Sequence, residues 1–152
     1  MPSHLPVNHH LRGFWRALST LAGLFVVIFG VVGFLQTRGM ATFDTHGERV
    51  LGLTTNPGFS IISIVVGAVL VLASLVGRNI DVKVNVVLSV IFGLAGLFSI
   101  AFLRTDFNYF AFSVANCVVS YIIATIIGMS SLYGRINGRS NGTTGARQHA
   151  TA

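Results

Sequence analysis

One short segment of the chain gathers side chains that could do chemistry. It reads Asp44-Thr45-His46-Gly47-Glu48, so a carboxylate, an imidazole and a second carboxylate alternate. In an extended loop this two-residue spacing points all three side chains to one face. Three such ligands suffice for a weak zinc-like or calcium-like site, but a local cluster without a second set of ligands is a poor predictor of one. A solvated turn is the plainer interpretation, and we expect no metal, no cofactor and no enzymatic activity.

Four long stretches without a charged residue surround this segment. They contain 21, 28, 20 and 28 residues, at positions 17–37, 50–77, 84–103 and 107–134. A hydrocarbon core about 30 Å thick needs about 20 residues of helix to cross it, and a buried charge at its centre costs about 2.5 kcal/mol or more. The pattern therefore predicts four membrane-spanning helices, at about 17–36, 58–76, 84–103 and 109–132.

The composition excludes a water-soluble domain. Charged residues make up 9% of the chain and hydrophobic residues 53%, whereas an average soluble domain has about 25% charged residues. We expect a membrane domain over residues 17–134, a cytoplasmic segment over residues 1–16 and a disordered cytoplasmic tail over residues 135–152. The single cysteine, Cys117, lies in the fourth stretch and cannot form an internal disulfide.

The net charge is +6, and the basic residues that produce it are distributed unequally between the two sides of the membrane instead of forming one patch. With both termini in the cytoplasm, seven basic residues lie inside and three outside, the latter being Arg38, Arg49 and Arg104. The positive-inside rule therefore predicts cytoplasmic N and C termini in a bacterial plasma membrane. Basic flanks next to anionic headgroups anchor the protein, so we expect membrane lipids and not nucleic acid as partners.

The two halves of the chain resemble each other. The segment 29–34 (FGVVGF) is similar to 92–97 (FGLAGL), at an offset of 63 residues. The segment 74–78 (SLVGR) is similar to 131–135 (SLYGR), at an offset of 57. These matches predict an all-α, four-transmembrane-helix bundle made of two tandem helical hairpins, a parallel internal repeat. Chance similarity between two glycine-rich apolar sequences is the alternative.

Taken together, the two glycine-rich hairpins and the Leu51-Gly52-Leu53 to Asn56-Pro57 segment resemble the small actinobacterial membrane proteins of the domain of unknown function 4383 family. The resemblance covers about residues 17–134 and implies a four-helix topology. It also implies a His-Asn-x-x-His pattern at the start of each hairpin's second helix. The matching positions hold no histidine here; they are Phe59, Ser60 and Ser63, then Asn116, Cys117 and Ser120. No role of those histidines is therefore carried over to this chain.

Small and weakly polar residues recur on one face of each predicted helix. They are Gly30, Gly33, Ser63, Gly67, Gly93, Gly96, Asn116 and Ser120. Small residues let helix backbones approach closely, and Ser or Asn can hydrogen-bond across the contact. We expect these faces to meet inside the bundle. A docking face for a larger membrane partner and a path for a polar solute are the two alternatives.

No Asp, Glu, Lys, Arg or His lies within the four uncharged stretches. A proton-coupled carrier needs such a group at depth, and a haem-binding bundle needs interior histidines, so both classes are disfavoured. The leading hypothesis is a non-enzymatic structural or accessory component that associates with a larger membrane assembly or with itself. The alternative is a channel or carrier for a small uncharged or lipid-like molecule, with Ser63, Asn116 and Ser120 as its lining. A lipid-modifying enzyme at Asp44, His46 and Glu48 is a third, weaker hypothesis.

Overall fold

The computed structural model describes residues 10–136, most of which lie in four α-helices. Each helix is long and apolar enough to cross a membrane, so the predicted all-α, four-span architecture is confirmed and the chain is a multi-pass integral membrane protein. A two-stranded hairpin is inserted between the first two helices. The elements are α1 (Arg12–Gln36), β1 (Glu48–Val50), β2 (Leu53–Thr55), α2 (Pro57–Val76), α3 (Ile80–Phe102) and α4 (Val114–Tyr133).

The helices pack as two pairs. Helix α1 packs chiefly against α2, and α3 chiefly against α4; smaller α1–α4 and α2–α3 contacts join the pairs. This arrangement is consistent with the tandem hairpins expected from the sequence. We call the end of the bundle that carries β1 and β2 the loop end, and the opposite end the basic end. Five of the eight described Arg and Lys side chains lie at the basic end: Arg12, Arg16, Arg78, Lys83 and Arg135.

Glycines set the distance between α1 and α2. A Cβ atom added to Gly30 would lie 2.7 Å from the backbone nitrogen of Ile64. One added to Gly67 would lie 2.7 Å from the backbone nitrogen of Val27 and 2.8 Å from the carbonyl oxygen of Gly23. The two backbones are therefore in direct contact, as expected where small residues line a helix interface in a membrane.

The middle of the bundle is closed by aliphatic side chains from all four helices. This core cluster consists of Ala22, Val26, Leu70, Leu88, Ile123 and Ile127. Leu70 and Ile127 are fully buried. Outward-facing positions carry exposed Val, Ile, Leu and Phe side chains on every helix, which is the surface that surrounding lipid requires.

Helix α1 begins at Arg12, five residues before the predicted span, because its first turn has partners inside the bundle. The Arg16 guanidinium donates hydrogen bonds to the carbonyl oxygens of Ser74 and Leu75, at the C-terminus of α2. Arg12 Nε donates to the carbonyl oxygen of Gly134, just after α4, at 2.9 Å. The last carbonyls of a helix have no partner within the helix, so these arginines supply one.

The other two differences in helix bounds have local causes. Helix α3 begins at Ile80, before the uncharged stretch, and includes the acidic Asp81 in its first turn, where the helix dipole favours it. Asp81 is buried and lies 3.7 Å from the Arg12 guanidinium. Helix α4 begins at Val114 and not at 109, because Ser113 caps it through a reciprocal capping box with Asn116.

A chain of side-chain hydrogen bonds joins the two hairpins. Ser19 Oγ on α1 donates to Asn85 Oδ1 on α3 at 3.0 Å. Asn85 Nδ2 in turn donates to Ser130 Oγ on α4 at 3.1 Å. All three side chains are buried. In hydrocarbon an unpaired amide or hydroxyl costs several kcal/mol, so this chain fixes where α3 and α4 lie against α1.

Alanine in place of Gly67 will lower the free energy of unfolding by about 1–3 kcal/mol, because the new methyl group meets backbone atoms of α1. Gly93→Ala is the matched control. A Cβ at Gly93 would meet no atom within 4 Å, so the change there will stay within about 0.5 kcal/mol. Reversible unfolding by dodecyl sulfate in mixed micelles measures both. Equal losses for the two variants would contradict the close contact between α1 and α2.

Candidate functional site

The Asp44-His46-Glu48 segment lies at the loop end and forms a solvent-exposed turn. The Asp44 carboxylate accepts a hydrogen bond from the His46 backbone N–H at 2.8 Å, and the His46 Nδ1 atom lies 3.4 Å from the same oxygen. The His46 side chain is 94% exposed. Glu48 lies on β1 with an exposed side chain. Within residues 10–136, no three His, Cys, Asp or Glu side chains come together in a way that could hold a metal ion.

The electrostatics of this turn are local. The His46 backbone N–H, followed by smaller contributions from the His46 side chain, holds the pKa of the Asp44 carboxyl below its ordinary value, although slight desolvation opposes the shift. A lowered pKa means that the ionised carboxylate supports the turn at neutral pH. That support is lost as the pH falls through the lowered pKa. The interaction stabilises a loop and indicates no acid–base role.

Asn116 fastens the β-hairpin to α4. Its Oδ1 accepts the Thr54 backbone N–H at 2.9 Å, and its Nδ2 donates to the Thr54 carbonyl oxygen at 2.8 Å. The amide therefore pairs with β2 as a neighbouring strand would. The same Oδ1 accepts bonds from the backbone N–H and the hydroxyl of Ser113. One buried side chain thus caps α4 and closes the loop end over it.

The hairpin itself is shaped by a tight turn. Leu51 and Gly52, between the two strands, both have positive φ, at 52° and 84°. Positive φ at both central residues is the requirement of a type I′ turn, whose twist matches that of paired strands. The hairpin places Val50 and Leu53 against Phe29 of α1. These strands were not predicted from the sequence, which, after the first span, indicated regular structure only from about residue 58 onward.

The Asn56 side chain also joins separate segments at the loop end through hydrogen bonds. Its Oδ1 accepts the Phe59 backbone N–H and so caps α2. Its Nδ2 donates to the carbonyl oxygens of Asp44 at 3.0 Å and Tyr109 at 2.7 Å, which lie in the two loops of the loop end. The N-caps Asn56 and Ser113 are 57 residues apart, the same offset as the sequence repeat.

Beneath the hairpin lies a cavity of about 100 Å³, which we call the loop-end cavity. All four helices and β2 contribute to its wall, and most of that wall is apolar. Four phenylalanines line it, namely Phe25, Phe29, Phe59 and Phe92. The polar side chains on its wall are Ser63, Asn116 and Ser120.

The loop-end cavity opens sideways. Leu53, which is buried, lies across it at the loop end, and Val26 and Ile123 of the core cluster lie on its opposite side. Ile62 of α2 and Ile91 of α3 line it and are also exposed. The mouth therefore faces the apolar surface between α2 and α3, where a membrane would place lipid.

The residues predicted for helix packing lie in four different settings. Gly30 and Gly67 are at the α1–α2 contact, and a Cβ at Gly33 would lie 2.6 Å from the Ser60 hydroxyl of α2. At Gly96 the added atom would lie 3.0 Å from the Tyr121 ring of α4. Gly93 differs from the expectation, because the space beside it is open. The three polar residues of the set share the loop-end cavity.

Sequence reasoning missed four of the side chains that organise the bundle. Asn56, Ser19, Asn85 and Ser130 are all buried and hydrogen-bonded to another element or loop. The role of Asn85 could have been predicted from the sequence, since it is an amide within the apolar segment 84–88 (VNVVL). The roles of its partners Ser19 and Ser130 could not, because a serine in a membrane helix can equally well hydrogen-bond to a carbonyl oxygen of the same helix.

A family model described as a domain of unknown function (DUF4383) matches residues 16–132, which is most of the chain and all but the ends of its membrane part. The chain belongs to this family. No curated protein and no solved structure matches it. Membership of DUF4383 agrees with the four-helix architecture and assigns no activity.

In this DUF4383 member, corresponding residues near the start of α2 and of α4 lie close together. Phe59 and Ser63 on α2, and Asn116 and Ser120 on α4, all line the loop-end cavity. Ser63 and Ser120 are related by the 57-residue offset, as are Phe59 and Asn116. The two halves of the repeat therefore present corresponding residues to one shared space.

Leucine in place of Asn116 keeps a side chain of similar size and removes every amide bond to the hairpin. We expect the Thr54 amide to exchange with solvent about ten- to a hundredfold faster, since losing the partner of a buried N–H costs about 1–3 kcal/mol. Amides in the middle of α1 and α2 should keep their protection. Hydrogen exchange read by mass spectrometry in nanodiscs measures this. Ser120→Ala, one turn further along α4, is the control and should leave Thr54 unchanged; unchanged exchange in Asn116→Leu would contradict the fastening.

Proposed function

We propose that this protein is a non-enzymatic accessory component of a larger membrane assembly, and that it associates with its partner through the α3–α4 face. Two observations on the described residues support the first half. Residues 10–136 bring together no metal-binding group, and the one carboxyl in this range with a resolved pKa shift lies in an exposed turn. The second half is supported by an unfilled space on α3.

The space lies beside Gly93, and we call it the Gly93 notch. On one side of it, a Cβ at Gly128 of α4 would lie 3.4 Å from the Ser89 hydroxyl of α3. On the other side, a Cβ at Gly96 would touch the Tyr121 ring. Helices α3 and α4 are therefore in contact above and below Gly93 but leave it uncovered. This uncovered glycine carries the proposal, since Gly96 and Gly128 nearby are each packed against the neighbouring helix.

The surroundings of the notch favour a protein partner over lipid. Tyr121 and Thr125 on α4 are both exposed, one turn apart, within a helix that crosses the membrane. Thr125 bonds to the Tyr121 carbonyl oxygen, whereas the Tyr121 hydroxyl has no hydrogen-bond partner among the described residues. A phenol hydroxyl facing hydrocarbon gains from a protein partner that offers it an acceptor. Helix α3 is also the least buried of the four spans: 22% of its most apolar segment is buried inside the protein, against 33–39% for the other three.

The orientation follows from charge. The basic end carries five of the eight described cations and one acidic residue, Asp81. By the positive-inside rule, the basic end belongs on the cytoplasmic side of a bacterial plasma membrane, with both termini there and the loop end outside. Arg139 and Arg147, which add to this argument, lie outside the described residues.

The loop-end cavity favours a second candidate, a carrier for a lipid-like molecule. Ser63, Asn116 and Ser120, the lining expected for such a carrier, do share that cavity. Its closed ends support binding from the side and not passage through the bundle, because Leu53 and the core cluster lie across the path. We therefore place this function second.

Gly93→Leu should fill the notch and leave the fold intact, because none of residues 10–136 occupies that space. Tagged protein would be recovered from native membranes with its lipids retained, and co-eluting membrane proteins quantified. We expect a stoichiometric partner whose recovery falls at least tenfold in Gly93→Leu. Leu72→Phe, on the exposed face of α2, is the control and should retain it. Recovery of the chain with itself alone, or equal loss in both variants, would contradict the proposal.

A further inference from the structure

The side chains of the loop-end cavity are hydrogen-bonded to different degrees. Ser63 donates to the Phe59 carbonyl oxygen of its own helix at 2.8 Å, as a serine in an apolar helix usually does. Ser120 occupies the corresponding position of the second hairpin and is 92% buried, since its exposed fraction is 8%. Its hydroxyl makes no hydrogen bond to any residue in the range 10–136. A buried hydroxyl with an unused donor, on the wall of an open cavity, indicates a ligand that accepts a bond.

Asn116 adds a second donor on the same helix face, one turn from Ser120. One N–H of its amide is held by the Thr54 carbonyl oxygen. The other N–H has no partner among the described residues, whereas Oδ1 is fully used by Thr54 and Ser113. The polar wall of the cavity therefore offers donors on α4, so it matches an acceptor oxygen better than a donor group.

The rest of the wall sets the apolar part of the ligand. Phenylalanines from three helices surround the space, and aromatic rings pair favourably edge-to-face with one another. The volume of about 100 Å³ is somewhat smaller than the roughly 150 Å³ of an engineered apolar cavity that binds benzene. Because the loop-end cavity is open between α2 and α3, it can hold one ring-sized group while the remainder of the molecule stays in lipid.

We infer that the loop-end cavity is a binding site for a neutral, membrane-soluble carbonyl compound. Its ring-sized end lies among the phenylalanines, and its carbonyl oxygen accepts a hydrogen bond from Ser120. The ligand enters sideways from the hydrocarbon, past Ile62 and Ile91. Ser120 lies six residues after the start of α4, about 9 Å along the helix, so the oxygen is held below the membrane surface. This site is separate from the Gly93 notch and does not depend on association with a partner.

Two fluorinated probes of nearly equal shape test this inference. 4-Fluoroacetophenone has the carbonyl, and 1-ethyl-4-fluorobenzene lacks it. Each would be titrated into nanodiscs that contain the full chain, with empty nanodiscs as the reference for partition into lipid. The fluorine resonance reports saturable binding. We expect one site per chain and about tenfold tighter binding of the ketone, as one additional hydrogen bond provides.

Three variants locate the binding. Ser120→Ala should remove the preference for the ketone and leave binding of the hydrocarbon probe unchanged. Ser99→Ala removes a buried serine that bonds to the Ala95 carbonyl oxygen outside the cavity wall, and it should keep the preference. Ala95→Leu extends a side chain of the cavity wall and should abolish saturable binding of both probes. The melting temperature of each variant confirms that it is folded.

Three results would overturn the inference. Equal affinity for the two probes would mean that the cavity is an apolar space filled by any lipid chain. A ketone preference that survives in Ser120→Ala would place the oxygen elsewhere. Absence of saturable binding beyond the empty nanodiscs would mean that there is no site. None of these results depends on the Gly93→Leu experiment, so the two proposals fail separately.

Discussion

The constraint on which this structure depends is that polar groups in hydrocarbon must find partners within the protein. The Ser19–Asn85–Ser130 chain satisfies it in the half of the bundle near the basic end and links the two hairpins. At the basic end, Arg12 and Arg16 supply donors to the carbonyls that α4 and α2 leave free. At the loop end, Asn56 caps α2, and Ser113 caps α4 in a capping box with Asn116. The apolar side chains between these hydrogen-bonded groups pack with less directional preference, so their arrangement follows from the hydrogen bonds.

This constraint also explains why two places in the bundle stand out. Most buried polar side chains in residues 10–136 have a hydrogen-bond partner. Buried atoms of Arg12, Trp15, Ser74 and Asp81 near the basic end lack one, and the Ser120 hydroxyl lacks one on the wall of the loop-end cavity. Most glycines on the helix interfaces are in contact with a neighbouring helix, whereas Gly93 is not. Ser120 and Gly93 both lie within the membrane-spanning helices and not at the aqueous ends of the bundle. The structure therefore directs attention to ligands and partners that reach it through the membrane.

Sequence reasoning gave the four helices because span length and charge placement are fixed by the bilayer and not by tertiary contacts. It also singled out Ser63, Asn116 and Ser120 as weakly polar residues on a face of otherwise apolar helices. The β-hairpin escaped it because strands of three residues are too short to show an alternating pattern. The roles of Arg12, Asn85 and Asp81 escaped it because they depend on which helix lies opposite. Gly93 was grouped with Gly96 by spacing alone, and only the placement of α4 separates them.

The central claim is that hydrogen bonds between buried side chains fix the position of one hairpin against the other. A double-mutant cycle on Ser19→Ala and Asn85→Leu tests it most directly, with unfolding free energies measured in mixed micelles. We predict a favourable coupling energy of about 0.6–2 kcal/mol, the range for polar pairs between membrane helices. Ser130→Ala should couple to Asn85→Leu as well. Additive losses, with no coupling for either pair, would contradict the account.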